Sequence, residues 1–233
     1  MIVVHHLEQS RSQRILWLLE ELDLDYTVEH YNRDPETNLA PASLRAVHPL
    51  GKAPVIVDTG PTPAITVAET GTIVEYLIDR YGDGRLKPAP TGPDALRYRH
   101  WLHYAEGSLM LPLLLKLVMT RIATAPMPFF AKPIAKSLAA KVNESFVDPN
   151  IKLHFDYVEA ELGQGDYLAG NTLTGADIMM SFPLEAGASR SAIAEGRPRI
   201  KAYLQKIHAR PAYQAALTKG GPYEYAPLTQ DAA

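Results

Sequence analysis

Residues 3–22, VVHHLEQSRSQRILWLLEEL, pass from strand-forming residues through a short polar loop into a helix. Ile15, Leu18, Leu19 and Leu22 recur at i, i+3, i+4 and i+7, which gives that helix an apolar face. Ser10 stands just ahead of the periodic run, where a hydroxyl can cap unpaired backbone N–H groups. The same place is the positive end of the helix dipole, so an anion, including a thiolate, is stabilised there. Ser10 therefore has two readings, helix cap and catalytic hydroxyl, and Ser12 competes for both.

Working outward, residues 2–5 read as a strand, 11–22 as the helix, and 26–31 (YTVEHY) as a second strand by their β-branched and aromatic content. Strand, helix and strand in so short a span form a βαβ unit, which implies a parallel pair with a right-handed crossover. Residues 32–49 are polar and Pro-bearing, with a short helix near 41–46. Residues 54–58 (PVIVD) form a compact apolar strand, and a turn through Thr59, Gly60 and Pro61 leads to its hairpin partner at 64–67. Helical spacing resumes over 69–81, where Ile73, Tyr76, Leu77 and Tyr81 share a face. The order βαβ-α-ββα with a four-stranded mixed sheet is the thioredoxin-like arrangement.

The Gly/Pro-rich stretch 82–93 (GDGRLKPAPTGP) marks a linker between a first domain at 1–81 and a second at 94–233. Strand signals vanish beyond it, and the second domain reads as all-α. Residues 94–121 are a long helix that Pro112 should kink. A Pro-broken segment at 125–133 precedes a helix over 134–147, and Ile151, Phe155, Val158 and Leu162 mark the next. Thr174 with Asp177 three residues on resembles a capping box, and Pro198 opens a helix carrying Ile200, Tyr203, Leu204 and Ile207 on one face. The last few residues read as frayed.

With 233 residues, 46% hydrophobic and 21% charged, the chain has the composition of a soluble globular protein with a sizeable core. A net charge of −3 without a long basic run gives no sign of nucleic acid or an anionic membrane as partner. The N-terminus lacks the apolar segment of a signal peptide, and the most apolar window, residues 109–119, is too short to span a bilayer. A cytoplasmic location is expected. The chain has no Cys, so disulfides, Cys-based metal sites and a cysteine nucleophile are excluded, and any thiol chemistry must use a substrate thiol.

Neither serine sits in a G-x-S-x-G elbow, and Gly163 and Gly165 start a G-x-G-x-x-G pattern that Leu168 breaks. Pro54, following Gly51-Lys52-Ala53, suits either a tight cis turn or an ordinary strand opening. In the first case the Ala53 backbone is free to pair with an extended peptide. Glu69-Thr70 can cap the following helix or grip a ligand, the hydroxyl and N–H groups taking a carboxylate and Glu69 an ammonium. His100, His103 and Glu106 share a helix, but the third position drifts off the face and no fourth ligand is near; no metal site is expected.

Together these segments resemble the cytosolic glutathione S-transferases over nearly the whole chain. The motifs that carry the resemblance are residues 10–22 (SRSQRILWLLEEL), 48–56 (HPLGKAPVI), 68–77 (AETGTIVEYL), 168–177 (LAGNTLTGAD) and 209–213 (ARPAY). The first-loop form is similar to a serine-type bacterial and fungal subgroup. The resemblance implies that the first domain binds glutathione and the helical domain lines a pocket for an apolar electrophile. By position, Ser10 would hydrogen-bond the glutathione sulfur and favour the nucleophilic thiolate. Ala53 would pair with the cysteinyl unit before a cis Pro54, Glu69 and Thr70 would hold the γ-glutamyl end, Lys52 would reach the glycyl carboxylate, and Gln9 and Arg11 would flank the sulfur. Thr70 stands where many members have Ser. Tyr104, Ser108 and Leu111 are expected to face the electrophile, although Tyr104 reads equally as core; residues 125–130 (APMPFF) cover the pocket or simply turn the chain. The resemblance also implies a detoxifying homodimer with no cofactor beyond glutathione as co-substrate. Two alternatives carry the same fold: a glutathione-dependent peroxidase or reductase, and a weakly catalytic ligand-binding scaffold.

Overall fold

A computed structural model describes residues 1–190 and 196–225. The sheet has the order β2-β1-β3-β4, with β1 Ile2–Leu7, β2 Tyr26–Tyr31, β3 Val55–Asp58 and β4 Ile65–Ala68. β1 runs parallel to β2, with Ile2 opposite Tyr26 and Leu7 opposite Tyr31. On its other side β1 pairs antiparallel with β3, and β3 with β4. Helix α1 (Gln13–Glu21) makes the crossover, α2 (Leu44–Val47) is the short helix before β3, and α3 (Thr70–Tyr81) closes the unit. This is the thioredoxin-like arrangement, followed by a largely helical region.

The opening helix is buried more completely than its apolar face requires. Gln13 to Leu19 are all buried, Gln13 and Arg14 included, because α1 packs on α3, on α8 (Gly175–Arg190) and on α10 (Pro211–Gly220). Trp17 is fully buried edge-on against Tyr213 of α10. Its indole N–H donates to Glu21, which in turn accepts a bidentate pair from Arg210 at 2.5 and 2.7 Å. The start of α10 is thus fastened to the end of α1.

The long helix predicted over 94–121 runs from Pro93 to Thr124 as α4 (Pro93–Tyr104), a π-helical turn at Ala105–Leu109, and α5 (Met110–Thr124). The irregularity lies upstream of Pro112 rather than at it. Pro112 has no N–H to offer the carbonyl of Ser108, four residues back, and its ring crowds that oxygen. The register slips there to a five-residue bond, with Met110 N–H reaching Ala105 O. The same happens at Pro149, whose i−4 residue is Ser145. A second π turn at Asn143–Val147 joins α6 (Lys132–Val142) to α7 (Asp148–Glu161), so the two helices expected there form one run. The apolar window at 109–119 therefore belongs to a 32-residue helical run which, by length and composition alone, could cross a membrane. Core helices of globular proteins pass the same test.

Asp177 organises the start of α8. Its carboxylate accepts from Thr174 N–H and hydroxyl at 2.9 Å, from Leu168 N–H at 3.0 Å and from the Tyr203 hydroxyl of α9 (Pro198–His208) at 2.8 Å. The predicted capping box therefore also fastens α9 to the loop before α8. The C-terminal residues expected to fray, beyond 225, lie outside the described residues.

Candidate functional site

Three segments of the sheet unit meet the long helix around a cavity of about 690 Å³. The loop entering α1 contributes Arg11, the entry to β3 contributes Lys52, Ala53 and Pro54, and the β4–α3 junction contributes Glu69 and Thr70. The far wall is built by Leu102, His103, Glu106 and Gly107 of the long helix, with Met179 of α8. Six of the candidate ligand-binding residues of the sheet unit, from Arg11 to Thr70, thus line one space.

Local structure explains how each is presented. The Ala53–Pro54 peptide is cis. Pro54 is buried at the sheet end while Lys52 is exposed. Glu69 sits at the N-cap of α3 with φ 69°, a conformation that non-glycine residues seldom adopt. Such geometry is held only where surrounding structure over-determines it, and functional sites are where it concentrates. Behind it Thr70 is buried, and the first N–H groups of α3 have no helical partner, a natural receptor for a carboxylate. The cavity lining carries both signs of charge: Arg11 and Lys52, with two histidines, beside Glu69, Glu75 and Glu106. That pattern suits a small extended ligand carrying both carboxylates and an ammonium.

Ser10 and Ser12 occupy different depths. Ser12 is fully buried and stands at the N-cap position of α1 without a side-chain cap bond; its hydroxyl instead meets His6 Nδ1 at 2.9 Å. Ser10 retains 8% exposure, donates to Leu7 O at 2.7 Å, contacts the Ser12 hydroxyl at 2.7 Å and accepts from Ser12 N–H at 3.2 Å. Neither serine is among the described residues that line the cavity, though Arg11 between them is. Burial, together with the neighbouring His30 charge, pushes the His6 imidazole down to about 4, so the ring is neutral at ordinary pH.

Gln9, also at positive φ (50°), faces away from the cavity: its side-chain oxygen accepts from Glu224 N–H at 2.7 Å. Tyr104 is half-buried and hydrogen-bonds His154, stacking on His100; Ser108 lies in the π turn, and Leu111 is 64% exposed. None of these four is among the described lining residues. Among the described residues no cluster of His, Asp and Glu could hold a metal ion.

One lining group has a different meaning from its reading in the sequence. Glu106 figured there only beside two histidines, yet its carboxylate binds Arg11 Nε at 3.1 Å through both oxygens and also pairs with Arg14. Arg14 is 2% exposed, and its other terminal nitrogen donates to Met179 O at 2.5 Å. Burial works to raise the Glu106 carboxyl, but the two guanidinium groups outweigh it and hold the group below its ordinary range.

Residues 10–80 match the glutathione S-transferase N-terminal domain family and residues 118–211 the glutathione S-transferase C-terminal domain family. Glutathione S-transferase 1 of Saccharomyces cerevisiae is 33% identical over 225 residues, covering 94% of this chain and 95% of the relative. Glutathione S-transferase 3 of Schizosaccharomyces pombe is 32% identical, covering 94% and 88%. A glutathione S-transferase structure from Actinobacillus pleuropneumoniae superposes with a TM-score of 0.79 at 34% identity, covering 99% and 98% of the two chains. The chain belongs to the glutathione S-transferase family.

Proposed function

We propose that this transferase conjugates the glutathione thiolate to small apolar electrophiles, and that the tripeptide lies across the 690 Å³ cavity. The observation that carries the reading is the mixed charge of the cavity lining, with Lys52, Glu69 and the α3 N-terminus all bordering one space. Glutathione has an ammonium and a carboxylate at its γ-glutamyl end and a second carboxylate at its glycyl end. Glu69 takes the ammonium, Thr70 and the α3 N-terminus take the adjoining carboxylate, and Lys52 takes the glycyl carboxylate. The Ala53 backbone pairs with the cysteinyl unit between them. That leaves the sulfur at the entry to α1, where Ser10 supplies a hydroxyl and Arg11 a guanidinium, both favouring the thiolate.

Of the two serines, Ser10 fits this role better: it retains some exposure while Ser12 is fully buried and engaged by His6, and Ser10 would serve the sulfur by turning its one proton away from Leu7 O. Gln9 acts indirectly, by fixing the loop that carries Ser10 to the Glu224 backbone. The electrophile approaches along the long helix, where Leu111 follows Gly107 of the cavity wall by one helical turn, with Tyr104 and Ser108 beside it. Exposed Leu114, Val118 and Ile122 recur at i, i+4 and i+8 along α5, a stripe that supports a homodimer. No cofactor beyond glutathione is required. The proposed role is detoxification in the cytoplasm.

Turnover of an electrophile panel and of a hydroperoxide by wild type and Ser10→Ala tests the reading. The expected result is electrophile conjugation by wild type, most of it lost in the variant while glutathione binding is kept. Equal turnover by both proteins would refute the Ser10 role. Glutathione binding without any conjugation would point to a ligand-carrying scaffold. Sedimentation of the intact chain as a monomer would refute the dimer.

A further inference from the structure

The stretch APMPFF at 125–130 forms the apex of the hairpin between α5 and α6, and neither of its phenylalanines is among the described residues that line the cavity. Ala131 N–H donates to Pro128 O at 3.0 Å, so Phe129 and Phe130 are the two central residues of a turn. Their rings meet edge to face at 5.8 Å, yet Phe129 is 86% and Phe130 65% exposed. Ile134 and Leu138 follow Phe130 at spacings of four along α6, and both are exposed. Within α6 only Ala139 is buried, so its large apolar side chains are turned outward rather than spent on the core. Apolar groups gathered outside in this way mark a contact surface.

Charge is segregated around the same apex. Residues 107–143 hold five of the 23 basic residues, Lys116, Arg121, Lys132, Lys136 and Lys141, and none of the 26 acidic ones. The net charge of −3 hides that division. Lys116 pairs with Asp148, but among the described residues Arg121, Lys132, Lys136 and Lys141 make no ion pair. Arg121 lies in the last turn of α5, Lys132 opens α6 and Lys136 follows one turn later; all three are exposed. Three cations therefore stand on the two arms of the hairpin within about 6 Å of the loop, measured along the helix axes. The loop itself is uncharged. Pro126 and Pro128 restrict its backbone and bring no N–H groups that would have to leave water.

We propose that the apex of the α5–α6 hairpin docks end-on to an anionic lipid bilayer, with Phe129 and Phe130 at the acyl-chain boundary and Arg121, Lys132 and Lys136 among the headgroups. Bulk charge gives no sign of such a partner because the site is local. Neither signal suffices alone: two rings give marginal partitioning, and a few cations give an attraction that salt screens, but together they make a two-part anchor. The long stems of Lys and Arg let their charged ends stay at headgroup level while the apex sinks deeper. A second copy of this chain fits the tip poorly, since a two-fold contact there sets the same cations against one another. A nucleic acid would match the cations but leave Ile134 and Leu138 without use. Docking of this kind is peripheral and reversible, as suits a protein of the cytoplasm. Apolar electrophiles concentrate in the same bilayer, which gives the contact a use, although the docking does not rest on the glutathione pose.

The test is co-sedimentation of the intact chain with vesicles of phosphatidylcholine alone and of phosphatidylcholine with phosphatidylserine at about 3:1. Wild type is expected to bind the mixed vesicles, to bind phosphatidylcholine far less, and to be released by added salt. Each cation near an anionic surface strengthens binding about fivefold, so Lys132→Gln combined with Lys136→Gln should weaken binding to the mixed vesicles about 25-fold. Phe129→Ser combined with Phe130→Ser should abolish it. Both native tryptophans, Trp17 and Trp101, are fully buried, so Phe129→Trp supplies a local reporter. Its emission should shift to the blue on the mixed vesicles and be quenched by brominated acyl chains. Because the replaced side chains are exposed, the melting temperature of each variant should match that of wild type, which separates lost docking from lost folding. Equal binding of wild type to both vesicles, no binding to either, or binding that survives both double replacements would overturn the proposal. Self-association without vesicle binding, abolished by the double phenylalanine replacement, would overturn it in favour of a second copy at the apex.

Discussion

Asp177→Ala should destabilise the protein more than any other single polar truncation outside the cavity. The carboxylate is fully buried and accepts four hydrogen bonds, two to each oxygen: Leu168 N–H and the Tyr203 hydroxyl on one, Thr174 N–H and hydroxyl on the other. The Thr174 hydroxyl can turn to another acceptor, but the two backbone N–H groups and the buried tyrosine hydroxyl cannot. Each orphaned buried donor costs about 1–3 kcal/mol, so three of them give a loss of at least about 3 kcal/mol. In a chain of this size each kcal/mol moves the melting temperature by about 2–4 °C, so a fall of at least about 6 °C is expected. Asp177→Asn is no rescue, because the carboxamide keeps one acceptor oxygen and turns an NH2 group towards donors. Urea unfolding followed by tryptophan fluorescence reads both variants. A loss below about 1 kcal/mol for Asp177→Ala would refute the reasoning, since it would mean that these donors find other acceptors.

His6 gives a pH-dependent term. Its ring is held neutral, down at about 4 against 6.5 for a free imidazole, so its contribution is intact above pH 6.5 and is lost as pH falls from there towards 4. That loss amounts to as much as about 3 kcal/mol, and His6→Gln should flatten the stability profile over this interval, as read by denaturant midpoints at successive pH values. Gly187→Ala places a Cβ 2.2 Å from Phe155 Cζ, and Phe155 is fully buried. The expected cost of about 1–3 kcal/mol from overpacking should show as a lowered urea midpoint despite alanine's better helix propensity. Arg210→Ala removes the bidentate clasp on Glu21, and partial exposure of the pair limits the expected loss to about 1–2 kcal/mol. Proteolysis near the C-terminal helix should accelerate in that variant.

Most of the architecture was legible because the strongest signals are local. The run YTVEHY at 26–31 and the spacing of Ile200, Tyr203, Leu204 and Ile207 place β2 and α9 without tertiary information. The π turns were not legible as such. Proline reveals where a carbonyl is left without its donor, but how the backbone answers depends on neighbouring helices. Gln13 and Arg14 lie outside the apolar face that the spacing defines, yet α10 covers Gln13 and α8 with the π turn encloses Arg14. A helix buried on both faces and one half-exposed have the same period when buried positions carry polar groups with distant partners. The Ser10–Arg11–Ser12 run, Ala53–Pro54 and Glu69–Thr70 could be picked out as chemistry-bearing because each combines a special backbone position with a polar or proline side chain. Glu106 had no such signal: its meaning comes from Arg11 and Arg14, which are about ninety positions away in the chain.

The most direct measurement of the central claim is a crystal structure of the protein with glutathione. The account predicts the γ-glutamyl group against Glu69 and Thr70, the cysteinyl backbone paired with Ala53, and the sulfur within hydrogen-bonding distance of the Ser10 hydroxyl or the Arg11 guanidinium. Glutathione bound outside this cavity, or within it with the sulfur directed away from the entry to α1, would contradict it.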